Sequence, residues 1–154
     1  MTAHEPNPTI HASAVRVGER AVLIRGPSGS GKSRLALELI LAGRAGVIAQ
    51  TELIGDDRVH LSAEGGALIV RPAANLAGLL EVHGLGIRRL PYASAAEVGM
   101  VVDLDAEDAA RMPAPASLEI VLNGVKCARI PVGKGFSALP LVTAMLVTRP
   151  SAVL

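Results

Sequence analysis

Residues 26–33 read GPSGSGKS. The stretch fits G-x-x-x-x-G-K-[ST] at every fixed position, with Gly26, Gly31, Lys32 and Ser33 in place. The pattern alone is a Gly-Ser-rich turn; its neighbours make it more. Residues 21–25 (AVLIR) form an apolar run of strand length, and residues 34–42 (RLALELILA) are rich in helix formers and apolar on most sides. Strand, glycine loop and helix in that order build a phosphate cradle. Glycines let the backbone curl so that N–H groups point inward, and the helix adds the positive end of its dipole. Gly26, Pro27, Ser28, Gly29, Ser30, Gly31, Lys32 and Ser33 are the expected nucleotide-binding residues. Lys32 is expected to reach the β- and γ-phosphates and the Ser33 hydroxyl to ligate Mg²⁺.

Working outward, residues 11–17 (HASAVRV) read as a strand turned onto 21–25 at Gly18-Glu19-Arg20. Gly43 closes the helix, and 46–50 (GVIAQ) reads as a short buried strand. Residues 58–62 and 67–71 read as a hairpin across Glu64-Gly65-Gly66, and 72–78 as loop or a short helical turn. Residues 79–90 (LLEVHGLGIRRL) read as one strand whose internal glycines mark a bulge. A strand over 99–105, a mobile polar segment over 106–115, a hairpin of 118–122 with 126–130 across Asn123-Gly124, and an apolar helix over 137–148 capped by Ser137 complete the chain. The first eight residues, with Pro6 and Pro8, read as a mobile arm. The expected fold is α/β: a mixed sheet with several hairpins and few long helices. It has too many hairpins for a doubly wound sheet.

Bulk properties narrow the function. The chain has 154 residues, the size of one domain, and 50% are hydrophobic with only 1% aromatic, so its core is aliphatic. Mean hydropathy is +0.43. A net charge of +1 argues against a strongly basic nucleic-acid surface. No apolar run approaches the roughly 20 residues of a membrane span, and the N-terminus lacks the pattern of a signal peptide. Cys127 is the one cysteine, so no intrachain disulfide forms; it reads as a small buried hydrophobe in a reducing, cytoplasmic setting.

A phosphate loop needs an acid for the metal, and a base if a hydroxyl is phosphorylated. Asp56-Asp57, beginning 23 residues after Ser33, is the best pair. Neighbours on an extended chain point to opposite faces, so one can serve the reaction while the other supports it or binds metal. His11 and Glu81 are further candidates, although an isolated histidine or strand glutamate is commonly structural.

Together these pieces resemble the catalytic domain of bacterial HPr kinase/phosphorylase over nearly the whole chain. His11 stands 15 residues before Gly26, as in that family. LIGDDRVHL is similar to its Asp-Asp segment, and LLEVHGLGI to its signature Leu-Glu-Ile-Arg-Gly-Leu-Gly-Ile. IPVGKGFSALPLVTAML resembles its Ile-Pro-Val-Arg-Pro-Gly-Arg-Asn loop and final helix. The resemblance implies a fold related to phosphoenolpyruvate carboxykinase. It implies transfer from ATP, with a divalent cation, to a serine of the phosphocarrier HPr, and reversal by phosphorolysis. It makes Asp56 the general base, His11 its support, and Ser33 and Glu81 the metal residues; Asp57, the other acid of the pair, is the further metal candidate from the residue reading. Arg111 falls where the family has an arginine in a loop over the phosphates, in a shorter and poorly matched context. The resemblance also implies a homo-oligomer, a hexamer, and a short form consisting of the catalytic domain alone. His83 replaces the signature arginine. Residues 133–137 (GKGFS) replace Arg-Pro-Gly-Arg-Asn, which favours the kinase direction over phosphorolysis. The competing readings are a phosphate-loop kinase or NTPase with another substrate, and a non-catalytic nucleotide-binding sensor.

Overall fold

The computed structural model describes residues 8–151. The arm expected over residues 1–8 lies outside them except for Pro8, which is exposed. Strands β1 (Thr9–Val17) and β2 (Arg20–Arg25) pair antiparallel, and β2 runs into the glycine loop and helix α1 (Lys32–Arg44). Then follow β3 (Thr51–Gly55), β4 (Arg58–Glu64), β5 (Ala67–Pro72), β6 (Leu79–Val82), β7 (Gly86–Arg89) and β8 (Ala96–Asp103). The chain ends with β9 (Glu119–Leu122), β10 (Val125–Pro131) and α2 (Leu139–Val147). Short 3-10 turns occupy Ala74–Leu76 and Pro115–Leu118.

The main sheet closes on itself. β2, β1, β4, β5 and β8 are neighbours in that order, and β8 returns to pair with β2. β3 adds to β1, and β10 then β9 add to β8. Period-two alternation sorts the side chains into two cores. Ala12 and Ala14 of β1, Ala21 and Leu23 of β2, and Val98 and Val101 of β8 fill the inside of the closed sheet. Val15, Val22, Ile24, Met100 and Val102 face outward, where Leu35, Leu39 and Ile40 of α1 and Val142 of α2 cover them. β2 lies between β1 and β8, so the phosphate loop at its end is flanked by both.

The mixed, sheet-rich α/β fold is the one expected, with local corrections. Residues 46–50 are not a strand. The helix exit consumes them: the Ala45, Gly46 and Val47 N–H groups close onto Leu41, Gly43 and Ala42 carbonyls, and Val47 is exposed. The strand is the next five residues, whose polar Thr51 and Glu52 hide it. Residues 79–90 are two strands rather than one, because Gly84 (φ 88°) and Gly86 (φ 103°) take up a left-handed turn that reverses the chain. β8 begins and ends earlier than expected. α2 starts without a Ser137 side-chain cap: Val142 N–H reaches the Ala138 carbonyl, and Pro140 has no N–H to satisfy. The polar segment after β8 is tethered, with Arg129 bonded to Asp108 at 2.7 Å and to the Ser117 carbonyl at 2.8 Å. Among the described residues, no helix is long and apolar enough to cross a membrane.

Candidate active site

The loop after β2 is sterically committed to glycine at its start. A Cβ on Gly26 would meet Ser30 Oγ at 2.5 Å and Leu104 Cβ at 3.0 Å. Lys32 is buried at the base of the loop, where its Nζ donates to the carbonyls of Gly26 at 2.9 Å and Pro27 at 3.1 Å. Burial lowers its pKa, and the carboxylates of Asp57 and Asp56 oppose that shift.

Next to the loop stands Asp56, at the corner between β3 and β4 and only 5% exposed. Its Oδ1 accepts from Ser13 Oγ at 2.7 Å and from Ser33 Oγ at 2.7 Å; its Oδ2 lies 2.9 Å from the same Ser33 hydroxyl. The Glu81 main-chain N–H adds a fourth contact at 3.1 Å. Three elements thus meet on one carboxylate: β1, the start of α1 and β6. Ser13 also accepts from the Asp57 N–H at 3.3 Å. Asp57 is different in kind. It sits at φ 67°, an uncommon conformation for a non-glycine residue, and its side chain is 62% exposed. His11 Nε2 lies 2.8 Å from Asp57 Oδ1.

His11, Lys32, Ser33, Asp56 and Asp57 therefore converge. The expected His11 support goes to Asp57 rather than Asp56, because Asp56 turns into the fold toward Ser13 and Ser33 while Asp57 turns out. Glu81 joins through its main chain, and its residue is exposed. Arg111 is exposed on the tethered segment and takes no part in the Asp56 contacts. Ser13 is the residue that sequence reasoning missed; its signal is period two, which puts it on the same face of β1 as His11. Also missed is an ion network behind the loop. Asp103, in register with Arg25, accepts from Arg25 Nε and Nη2 at 2.8 Å each and from Arg129 Nε at 2.6 Å. Burial pushes the Asp103 carboxyl up, but the two guanidiniums outweigh it and hold it below its ordinary value.

Ser33 Oγ and the Asp56 carboxylate form a pair of hard oxygens beside the loop. Among the described residues, no group of three or more His, Cys, Asp or Glu is arranged to hold a metal on its own. That combination suits Mg²⁺, which takes one or two protein oxygens and completes its shell with water and substrate phosphates.

Comparison with known proteins identifies the family. Residues 3–146 match the family model described as HPr Serine kinase C-terminal domain. The chain belongs to that family. An HPr kinase/phosphorylase of Exiguobacterium sp. is 30% identical over 91% of this chain and 48% of its own length. One from Clostridium beijerinckii is 42% identical over 53% of this chain and 25% of its own. The chain thus spans between a quarter and about half of the length of these curated relatives. The solved structure of the Hpr(Ser) kinase/phosphatase from Coxiella burnetii superposes with a TM-score of 0.69 at 27% identity, covering 90% of this chain and 93% of that one.

Proposed function

We propose that this chain is a cytoplasmic, ATP-dependent kinase that phosphorylates a serine of an HPr-type phosphocarrier. The observation that carries the reading is the division of labour between the two neighbouring acids beside the phosphate loop. Asp56 is buried, and both its oxygens are engaged by hydroxyl and amide donors. Asp57 is exposed and backed by His11. The general base is therefore Asp57, and the expectation that Asp56 takes the proton gives way to a supporting role for it. Loop amides and Lys32 hold the triphosphate. Ser33 and Asp56 would hold Mg²⁺, which when bound neutralises phosphate charge.

The acceptor serine enters from the Asp57 side. Its Oγ attacks the γ-phosphorus while its proton passes to the Asp57 carboxylate, the β–γ bridging bond breaks, and ADP leaves. Phosphoryl transfer is mainly positioning and charge stabilisation, so a carboxylate within hydrogen-bond reach suffices as base. His11 holds that carboxylate in place. In reverse, inorganic phosphate attacks the phosphoserine, Asp57 returns the proton to the serine oxygen, and pyrophosphate is released. Self-association is part of this reading: Leu141, Met145 and Val147 of α2 are exposed and apolar, and a hexamer would cover them.

The test is intact-mass analysis of an HPr-type carrier incubated with the protein, ATP and Mg²⁺. Addition of one phosphoryl group, reversed on adding inorganic phosphate, supports the reading; an unmodified carrier under all conditions refutes it. Asp57→Asn is expected to lower the transfer rate by about a thousandfold, within the range of general-base removal, with ATP affinity kept. Transfer at the wild-type rate would return the base to another group.

A further inference from the structure

The catalytic acids lie on the β1/β3 side of the phosphate loop, which places the reacting end of a bound triphosphate there. The rest of the nucleotide must leave the loop in another direction. On the opposite side, beyond β8 and β10, the first turns of α1 and residues 104–105 and 132–138 enclose a cleft of about 340 Å³. That is within the range of small-ligand sites, roughly 300–1,000 Å³. Ser30 and Gly31 line it, so the cleft is continuous with the phosphate loop. Its lining is mixed: the buried Leu35, Leu104 and Val132 supply apolar atoms, and Arg34, Glu38 and Asp105 supply charge.

Phe136 stands at its rim. It is the one phenylalanine in the chain, and it is 77% exposed. The ring is not adrift. A Cβ on Gly133 would lie 3.3 Å from ring Cδ2, so one edge of the ring rests on bare backbone, and the Phe136 N–H closes a turn onto the Gly133 carbonyl at 3.1 Å. An aromatic ring with one edge against backbone and its remaining surface open to water is a surface for a flat ligand. Asp105 also lines the cleft, held at φ 54°. An acidic acceptor and an aromatic ring lining one cleft match the ribose and the base of a nucleoside.

We propose that this cleft seats the nucleoside half of the nucleotide, with the base stacked on Phe136 and the ribose hydroxyls donating to Asp105. The proposal rests on residues 26–33 cradling the triphosphate. Phe136 stands where the resemblance puts an arginine, so the stacking surface belongs to this chain. Base–aromatic stacking is tolerant of base identity, so the seat supplies affinity more than choice among purines.

Calorimetry separates the two halves of the ligand. ATP and inorganic tripolyphosphate, each with Mg²⁺, are titrated into the wild type, Phe136→Ala and Phe136→Tyr. The expected result is about tenfold weaker ATP binding by Phe136→Ala, the size of a lost stacking contact. Tripolyphosphate binding should be unchanged, and Phe136→Tyr should restore ATP affinity. Equal ATP affinity in wild type and Phe136→Ala, or parallel loss of both ligands, overturns the seat. A wild type that binds tripolyphosphate as tightly as ATP overturns the seat and leaves the cradle standing. A wild type that binds neither overturns the cradle, and the seat with it.

Discussion

Asp56 and Asp103 hold matching places on either side of the phosphate loop. Each lies at or just beyond the end of a strand, each is mostly buried, and each accepts several short hydrogen bonds. Their donors differ. Asp56 is met by the Ser13 and Ser33 hydroxyls and a main-chain N–H. Asp103 is met by the guanidiniums of Arg25 and Arg129. A hydroxyl donates or accepts by rotating, whereas a guanidinium only donates. Among the described residues no cationic side chain is bonded to Asp56, so in the proposed function its charge faces the cation. The charge of Asp103 is matched by two arginines and serves to tie β2, β8 and β10 together under the loop.

Removing each charge while keeping the shape should break the comparison in opposite directions. Asp56→Asn puts an amide among hydroxyls that can turn to accept from it, so the fold should persist with a melting point close to wild type. Turnover should fall by about a thousandfold, about 4 kcal/mol of barrier, as cation-supported charge stabilisation is lost. Asp103→Asn faces the amide N–H toward guanidinium donors that cannot accept. It should destabilise the protein by about 3 kcal/mol, the cost of stripping one partner from a buried ion pair. Below its melting point it should turn over at the wild-type rate. Denaturant unfolding and steady-state kinetics on both variants check this. If Asp56→Asn costs more stability than Asp103→Asn, hydroxyl rotation is not what separates the two sites.

The sequence made one of these sites legible and left the other dark, for a physical reason. The phosphate loop is local: its glycines, lysine and serine are contiguous, and their chemistry follows from spacing. The Asp56-Asp57 pair is visible because it is a doublet near that loop. Which of the two is buried is not visible, since it depends on the left-handed turn at Asp57 and on Ser13 arriving from β1, 43 residues earlier in the chain. The Asp103 network joins residues 78 and 26 positions apart, and each of its members alone looks like an ordinary surface charge. Strand errors have the same root. Residues 46–50 are apolar enough for a strand, yet the end of α1 takes their N–H groups first.

Acid sharpens the comparison at a smaller scale. The Asp103 carboxyl is driven up by burial and, more strongly in sum, down by Arg25 and Arg129, so its folded pKa lies below the ordinary 3.8. A carboxyl depressed on folding contributes stability that is complete above its unfolded pKa and is lost as pH falls through the folded value. Wild-type melting points should therefore drop from about pH 5 downward, and the drop should be shallower in Asp103→Asn. Glu64 is held near 2, chiefly by its hydrogen bond to Arg71 and then by Ser62, so it adds to the same acid slope. That pair is on the surface, with side chains 48% and 45% exposed. Salt at about 1 M contracts the screening length to about 3 Å and should weaken the exposed Glu64 share more than the partly buried Asp103 share. Melting curves from pH 7 to 3 at low and high salt measure both. An acid slope in Asp103→Asn as steep as wild type at high salt would mean that the network carries no net charge stabilisation, and that its arginines act by packing alone.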